Sequence, residues 1–230
     1  MNKKKRSKRY LQSQEIVCDR VYSISEAIAL LKKLRETKFE ERIEFACSLN
    51  VDLKKLDKAV RGSILFPHST GKEVKVLVLI KEGEGEEVEK IKETGADFVG
   101  FEDYIEKIKA GWFGFDVILT KPSYMRELVK LGKILGPRGL MPSPKTGTVT
   151  DDLKKAIEEV KKGRMEFKMD KGGNIHLPIG NISQSNESLQ ENIEEVIKNI
   201  LQLKSDGVKT DFIRSAYISS TMSPSIKIKV

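Results

Sequence analysis

The sequence predicts an α+β fold: a discontinuous domain with an antiparallel sheet and helices, built from both chain ends and carrying an inserted three-layer α/β domain. Three observations predict it. Residues 42–51 alternate, with Ile43, Phe45, Cys47, Leu49 and Val51 on one side and Arg42, Glu44, Ala46, Ser48 and Asn50 on the other. That period of two belongs to a strand with one face on a core and one in solvent. Alternation returns beyond Gly163, where Met165, Phe167 and Met169 share a face. Between these stretches, residues 74–80 are apolar with little alternation, and helical and short apolar segments then take turns. Strands of a parallel sheet covered on both faces read this way. The expected boundaries are 1–68 plus 160–230 for the discontinuous domain and 69–159 for the insert.

Each element has its own signal. The chain opens with Lys3, Lys4, Lys5, Arg6, Lys8 and Arg9 and turns acidic at Glu15 and Asp19, neither a secretory signal nor a transit peptide. A helix follows this basic tail: Ser23 and Glu26 fit a capping box, and Ile24, Ala27, Ile28, Leu31 and Leu34 form one stripe. A short strand at residues 61–66 stops at Pro67-His68. After residues 74–80, a helix carrying Val88 and Ile91 ends at Gly95. Then come Phe98-Val99, a helix at 102–110, apolar Val117-Ile118-Leu119 and a helix opened by Pro122. A helix at 152–162 closes at Gly163, and Gly172-Gly173 turns the next strand into residues 174–179. The helix at 187–203 aligns Leu189, Ile193, Val196, Ile197 and Ile200, and strands at 212–219 and 226–230 end the chain.

Composition narrows the function. Hydrophobic residues make up 39% and charged residues 33% of the chain, which suits a globular protein with a wet surface. The net charge of +8 points to a polyanionic partner, because neutralising phosphates releases condensed counterions. Charge alone does not separate RNA from DNA, an acidic membrane or a merely solvated surface. Two cysteines, Cys18 and Cys47, make neither a disulfide framework nor a zinc pair, and a reducing, cytosol-like compartment is expected. No apolar run approaches the ~20 residues of a membrane-spanning helix.

The most unusual segment is KLGKILGPRGLMPSPKTGTV, residues 130–149. Four glycines, three prolines and four cations argue against a regular helix or central strand there. Prolines restrict the backbone, glycines admit a close partner, and Lys133, Arg138 and Lys145 supply donors for phosphate oxygens. A rigid, RNA-facing loop is expected. As a P-loop it fails, because Pro144 stands where the motif needs a glycine N–H. Gly83-Glu84-Gly85-Glu86-Glu87-Val88 fails as a dinucleotide fingerprint for lack of a third glycine and because its acids would repel a pyrophosphate. His68 and His176 read as turn or surface residues, Cys47 as a buried inert thiol, and the carboxylates as solvated helix faces. No metal-ligand spacing and no catalytic set appears, and no cofactor is expected.

With these residues assembled, the chain resembles the ribosomal L-one family over nearly its whole length. The 130–149 segment is similar to that family's signature. Lys38-Phe39-Glu40-Glu41-Arg42-Ile43-Glu44 resembles its entry into the first strand, and Arg61-Gly62, Pro67-His68 and Gly71-Lys72 resemble its first domain crossing. Gly95-Ala96-Asp97 and Gly111-Trp112 match the insert, and Gly163-Arg164-Met165-Glu166-Phe167 the return crossing. The resemblance implies a non-enzymatic protein of the large subunit that binds ribosomal RNA through the discontinuous domain. It also implies a mobile stalk beside the exit site for deacylated tRNA, and an insert of Rossmann-like topology without a nucleotide. Bacterial members also repress translation of their own messenger RNA. A monomer off the ribosome, in the bacterial cytoplasm or on an organellar ribosome, is expected. The RNA surface carried over comprises Lys38, Phe39, Glu44, Arg164, Thr221, Met222 and Ser223. Where the family reads Thr-Met-Gly-Pro-Ser, this chain has Thr221-Met222-Ser223-Pro224-Ser225, which puts a Cβ against the RNA.

Two other classes compete. A DNA-binding protein fits the charge but has no helix-turn-helix, zinc spacing or basic heptads here. A nucleotide-dependent enzyme fits the βα pattern, but fold alone confers no activity.

Overall fold

The computed structural model describes residues 7–34, 37–51, 60–71, 73–81, 91, 94–203 and 212–230, without the side chain of Lys145. Lys3 to Arg6, Lys72 and the Gly83–Val88 stretch with its helix lie outside the described residues. The main helices are α1 (Lys8–Ile16), α2 (Ile24–Lys33), α3 (Glu102–Lys109), α4 (Leu153–Lys161) and α5 (Asn186–Gln202). The strands are β1 (Arg42–Leu49), β2 (Arg61–Leu65), β3 (Val76–Leu79), β4 (Phe98–Gly100), β5 (Val117–Thr120), β6 (Arg164–Lys168), β7 (Asn174–Asn181), β8 (Ile213–Ser220) and β9 (Ile226–Ile228). The chain forms two compact units, residues 1–71 with 166–230 and residues 72–165.

In the first unit, β1 pairs antiparallel with both β7 and β8, and β9 completes the order β7-β1-β8-β9. Alternation decides which face is dry: Ile43, Phe45, Cys47 and Leu49 are buried, with Ile175, Leu177, Ile179, Ala216 and Ile218 from the flanking strands. Helices α2 and α5 pack on each other and on these strands. Helix α2 starts as the sequence predicts: Ser23 Oγ accepts from the Glu26 N–H and the Glu26 carboxylate from the Ser23 N–H. The other sheet face stays open. Across it, in register, lie His176, Ala46, Tyr217 and Lys227, and beside them Pro178, Glu44 and Ser219.

Two features depart from the sequence reading. The basic tail runs into a helix, α1, that the periodicity does not announce. Its N-cap is Ser7, whose hydroxyl accepts from the Tyr10 N–H, but its polar and apolar residues do not separate into faces. Where the strand stops at Pro67-His68, a long-range partner that local pattern does not show holds the chain. Buried Asn192 on α5 accepts from the His68 N–H at 3.1 Å and donates to the His68 and Ile179 carbonyls at 3.1 and 3.0 Å.

The second unit holds a parallel sheet of order β4-β3-β5. All four β3 residues are buried. Val76, Val78 and Ile80 pack with Leu153, Ala156, Ile157 and Val160 of α4, whereas Leu77 and Leu79 pack with Phe101, Ile108, Phe115 and Leu128. Two separate cores, one per face, explain why β3 shows no alternation. The division at residues 165 and 166 comes only after α4 has contributed to one of them.

Candidate nucleic-acid interface

Pairing of β1 with β8 brings two segments, 179 residues apart in sequence, to one edge of the first unit. Thr221 is tied to Arg42 in both directions: its N–H donates to the Arg42 carbonyl at 3.1 Å, and its hydroxyl accepts from the Arg42 N–H at 3.1 Å. The next residues form a closed turn. Ser223 Oγ accepts from the Ser220 N–H at 2.9 Å and lies 3.0 Å from the Pro224 carbonyl, to which it donates. Lys38, Phe39, Thr221 and Met222 are exposed on this edge, Phe39 at 50% and Met222 at 48%. Other large apolar side chains are exposed too, Ile16 and Val129 among them, so what sets Phe39 and Met222 apart is their place on the hydrogen-bonded backbone where β1 begins and β8 ends. Glu44 is exposed on the open sheet face, opposite Ser219 and Pro178.

Ser223 is accommodated. Among the described residues, no residue other than glycine has positive φ, so this turn makes no demand for a left-handed conformation. The added Cβ carries the hydroxyl that caps the turn. The departure from the family's glycine therefore substitutes a side-chain bond for bare backbone.

The remaining expected site residues lie in the second unit. The 130–149 segment is less irregular than its composition implies, because Val129–Leu131 forms a 3-10 turn and Gly132–Leu135 an α turn. Buried Leu131 and Leu135, one helical turn apart, draw this stretch into the core despite Gly132. Lys133 is exposed on that turn. Exposed Arg138 lays its guanidinium 3.7 Å from the Phe113 ring centroid, a cation–π geometry that fixes its plane. Further on, Thr146 and Thr148 hydroxyls meet at 3.1 Å, and each donates to the Ser143 carbonyl. This knot makes residues 143–148 rigid around Lys145. Arg164 is engaged by the Glu159 carboxylate and lies against Gly147, whose φ of 72° suits only glycine.

Sequence reasoning missed Glu41. It is 2% exposed, and its carboxylate accepts from the Thr37 hydroxyl at 2.5 Å, the Met222 N–H at 3.2 Å and the Ser220 hydroxyl. Burial pushes this carboxyl up, but the three donors, with the Arg9 charge, outweigh burial and hold it below the ordinary carboxylate value. The signal was present: continuing the β1 alternation one step back puts position 41 on the inward face. An acid there must find partners.

The residues that could carry other chemistry are occupied structurally. The His68 ring meets Glu191 at 2.7 Å, and burial pushes the Cys47 thiol up to about 11. Among the described residues, no group of three or more metal-capable side chains converges, and no helix is long and apolar enough to cross a membrane.

The profile of the Ribosomal protein L1p/L10e family matches residues 31–224. The chain belongs to that family. Among its most similar relatives is the large ribosomal subunit protein uL1 of Persephonella marina, 50% identical over 98% of this chain and 94% of the relative. The uL1 of Thermosipho africanus is 50% identical over 97% of this chain and 96% of its own, and that of Chlorobium chlorochromatii 50% identical over 92% and 91%. The family is one of structural, non-enzymatic proteins of the large ribosomal subunit, which removes the nucleotide-dependent enzyme as a reading.

Proposed function

We propose that this chain is a constituent of the large ribosomal subunit in the bacterial cytoplasm and binds ribosomal RNA through the edge carrying Lys38, Phe39, Glu44, Thr221, Met222 and Ser223. The observation that carries the reading is the exposure of Phe39 and Met222 on a backbone locked by the Arg42–Thr221 bonds. RNA recognition asks for such an edge: apolar groups to stack on or pack against unpaired bases, and hydroxyl and carboxylate groups to meet base edges and 2′-OH groups. Lys133, Arg138 and Lys145, on the loop of the inserted unit, anchor phosphates and add affinity without reading sequence. Arg164 belongs to the same proposal through its place at the return crossing, with Glu159 orienting its guanidinium.

The finer roles of the family follow from the same surface. As part of the mobile stalk, the protein contacts deacylated tRNA at the exit site. As a repressor, it binds its own messenger RNA, which must then present the shape that the ribosomal site presents. One site cannot hold both RNAs, so a messenger leader fragment and the ribosomal fragment should compete with a single stoichiometry. The direct test is sedimentation of the protein with large subunits at moderate salt, followed by that competition. Failure to co-sediment, or simultaneous binding of both RNAs, would refute the proposal.

A further inference from the structure

We infer that Glu41 is the positioning residue of the RNA-reading edge: its buried carboxylate fixes the Met222 backbone against the start of β1, and specificity depends on it. The inference rests on the function proposed above and names the group that orders that site.

A carboxylate at 2% exposure loses most of its hydration, and only charge-assisted hydrogen bonds can offset that loss. Glu41 has three donors. Thr37 donates to Oε1, at the head of the segment that exposes Lys38 and Phe39. The Ser220 hydroxyl and the Met222 N–H both donate to Oε2, one on each side of Thr221. The Glu41 carbonyl also accepts from the Ile182 N–H at 3.0 Å, so the residue is itself anchored to the end of β7. One side chain thus ties together the Phe39 segment, the end of β8 and the Met222 turn. Thr221 holds to Arg42 through backbone and hydroxyl on its own account. The Met222 N–H, by contrast, has the Glu41 carboxylate as its partner. Without it, Ser223 still closes the turn on Ser220, through its N–H at 3.3 Å and its hydroxyl at 2.9 Å, but the Met222 backbone loses its tie to the start of β1 and its side chain is no longer held to the edge.

A side chain without an acceptor cannot do this work. Leucine at position 41 stays apolar and buried but leaves the Met222 N–H and the Ser220 hydroxyl without their oxygen. Glutamine is the milder change, because its amide oxygen in the Oε2 place still accepts from both while the Thr37 hydroxyl turns to accept from the NH2 group. Aspartate keeps the charge but is one methylene too short to reach all three donors.

The test uses the full-length protein. Amide exchange in the free protein reports the positioning without reference to RNA. In Glu41→Leu, exchange at the Met222 N–H should speed up roughly 10- to 100-fold, the range for a lost bond to a charged acceptor. The Thr221 N–H, bonded to Arg42, is the internal control and should change little. Affinity for the cognate ribosomal RNA fragment should fall about tenfold or more, with scrambled RNA and the salt dependence unchanged. In a Met222→Ala background, Glu41→Leu should cost almost nothing further, because its effect passes through Met222. If Glu41→Leu melts out, Glu41→Asp keeps the buried charge and should give the same pattern. Wild-type cognate affinity despite accelerated Met222 exchange, unchanged Met222 exchange, or additivity with Met222→Ala would each overturn the inference while leaving the RNA-binding reading intact. If Phe39→Ala and Met222→Ala also leave cognate affinity untouched, the proposed interface itself fails, and this inference with it.

Discussion

Replacing Phe39 by alanine tests the apolar half of the proposed interface. A phenylalanine side chain buries roughly 150–250 Å² in a full contact. With 50% of Phe39 already covered, about 100 Å² is left for a partner to remove from water. At ~25 cal/mol per Å² that area is worth about 2.5 kcal/mol, or roughly 70-fold in Kd. Stacking of a base on an aromatic ring, at ~1–3 kcal/mol, gives the same scale by an independent route. Phe39→Ala should therefore weaken cognate RNA roughly 70-fold in a filter-binding or calorimetric titration, while the half already covered by the fold makes the variant up to about 2.5 kcal/mol less stable, so binding is compared where both proteins are folded. Because no charge is removed, the slope of log K against log salt should not change. A folded Phe39→Ala protein binding cognate RNA within about twofold of wild type would refute the reasoning. An equal loss on scrambled RNA would refute it too, since a stacking contact at a specific edge must discriminate.

Other perturbations test separate parts of the structure. Arg138→Ala should weaken cognate and scrambled RNA alike and make the salt slope shallower by roughly 0.7–0.9, the share of one phosphate contact; a selective loss on cognate RNA would assign Arg138 to base reading instead. Asn192→Ala removes three hydrogen bonds and leaves the His68 N–H and two carbonyls without that partner, so guanidinium unfolding should show about 3 kcal/mol lost, and a loss under about 1 kcal/mol would contradict it. Thiol titration at pH 8 should show exposed Cys18 reacting promptly and Cys47 hardly at all, because a thiol near 11 is almost wholly protonated there and becomes reactive only as pH climbs toward that value. Two equally fast thiols in the native protein would be the contrary result.

What the sequence disclosed and what it hid follow one physical line. Strands announce themselves through burial, so β1, β3 and β5 were readable from which residues could face water. The capping box at Ser23 and Glu26 was readable because it is local, three residues apart. Helix α1 was not, since its residues follow no apolar stripe. The helical turns around Gly132 were masked by glycine and proline composition, and only Leu131 and Leu135, buried together, settle them. The site divides in the same way. Exposed residues such as Lys38, Phe39, Thr221 and Met222 could be carried over from the resemblance, since each belongs to a motif. Glu41 works through donors 4, 179 and 181 residues away, and long-range hydrogen bonds leave no mark in local pattern. Only its inward parity gave a hint.

Two carboxylates within four residues take opposite parts in the proposed interface, and under that proposal their difference would let a basic protein read RNA rather than merely stick to it. Glu41 turns its carboxylate onto three internal donors and so orders the edge from within. Glu44 is exposed on the open sheet face beside that edge, where an approaching phosphate meets its full charge. Two unit charges ~4 Å apart repel by about 4 kcal/mol at the effective dielectric of a protein surface. A phosphate placed against Glu44 is therefore excluded, while a base amino group or a 2′-OH in the same place gains a hydrogen bond. Lys38 and Arg42, both ahead of Glu44 in the chain, attract the backbone, so an RNA ligand that meets Glu44 does so best with a base or ribose. If so, Glu44→Gln should raise affinity for scrambled RNA while lowering it for cognate RNA, because the repulsion and the specific bond are removed together. Measured as a ratio at one salt concentration, the two changes multiply. A Glu44→Gln protein whose cognate and scrambled affinities move in the same direction and by the same factor would show that Glu44 is ordinary surface charge.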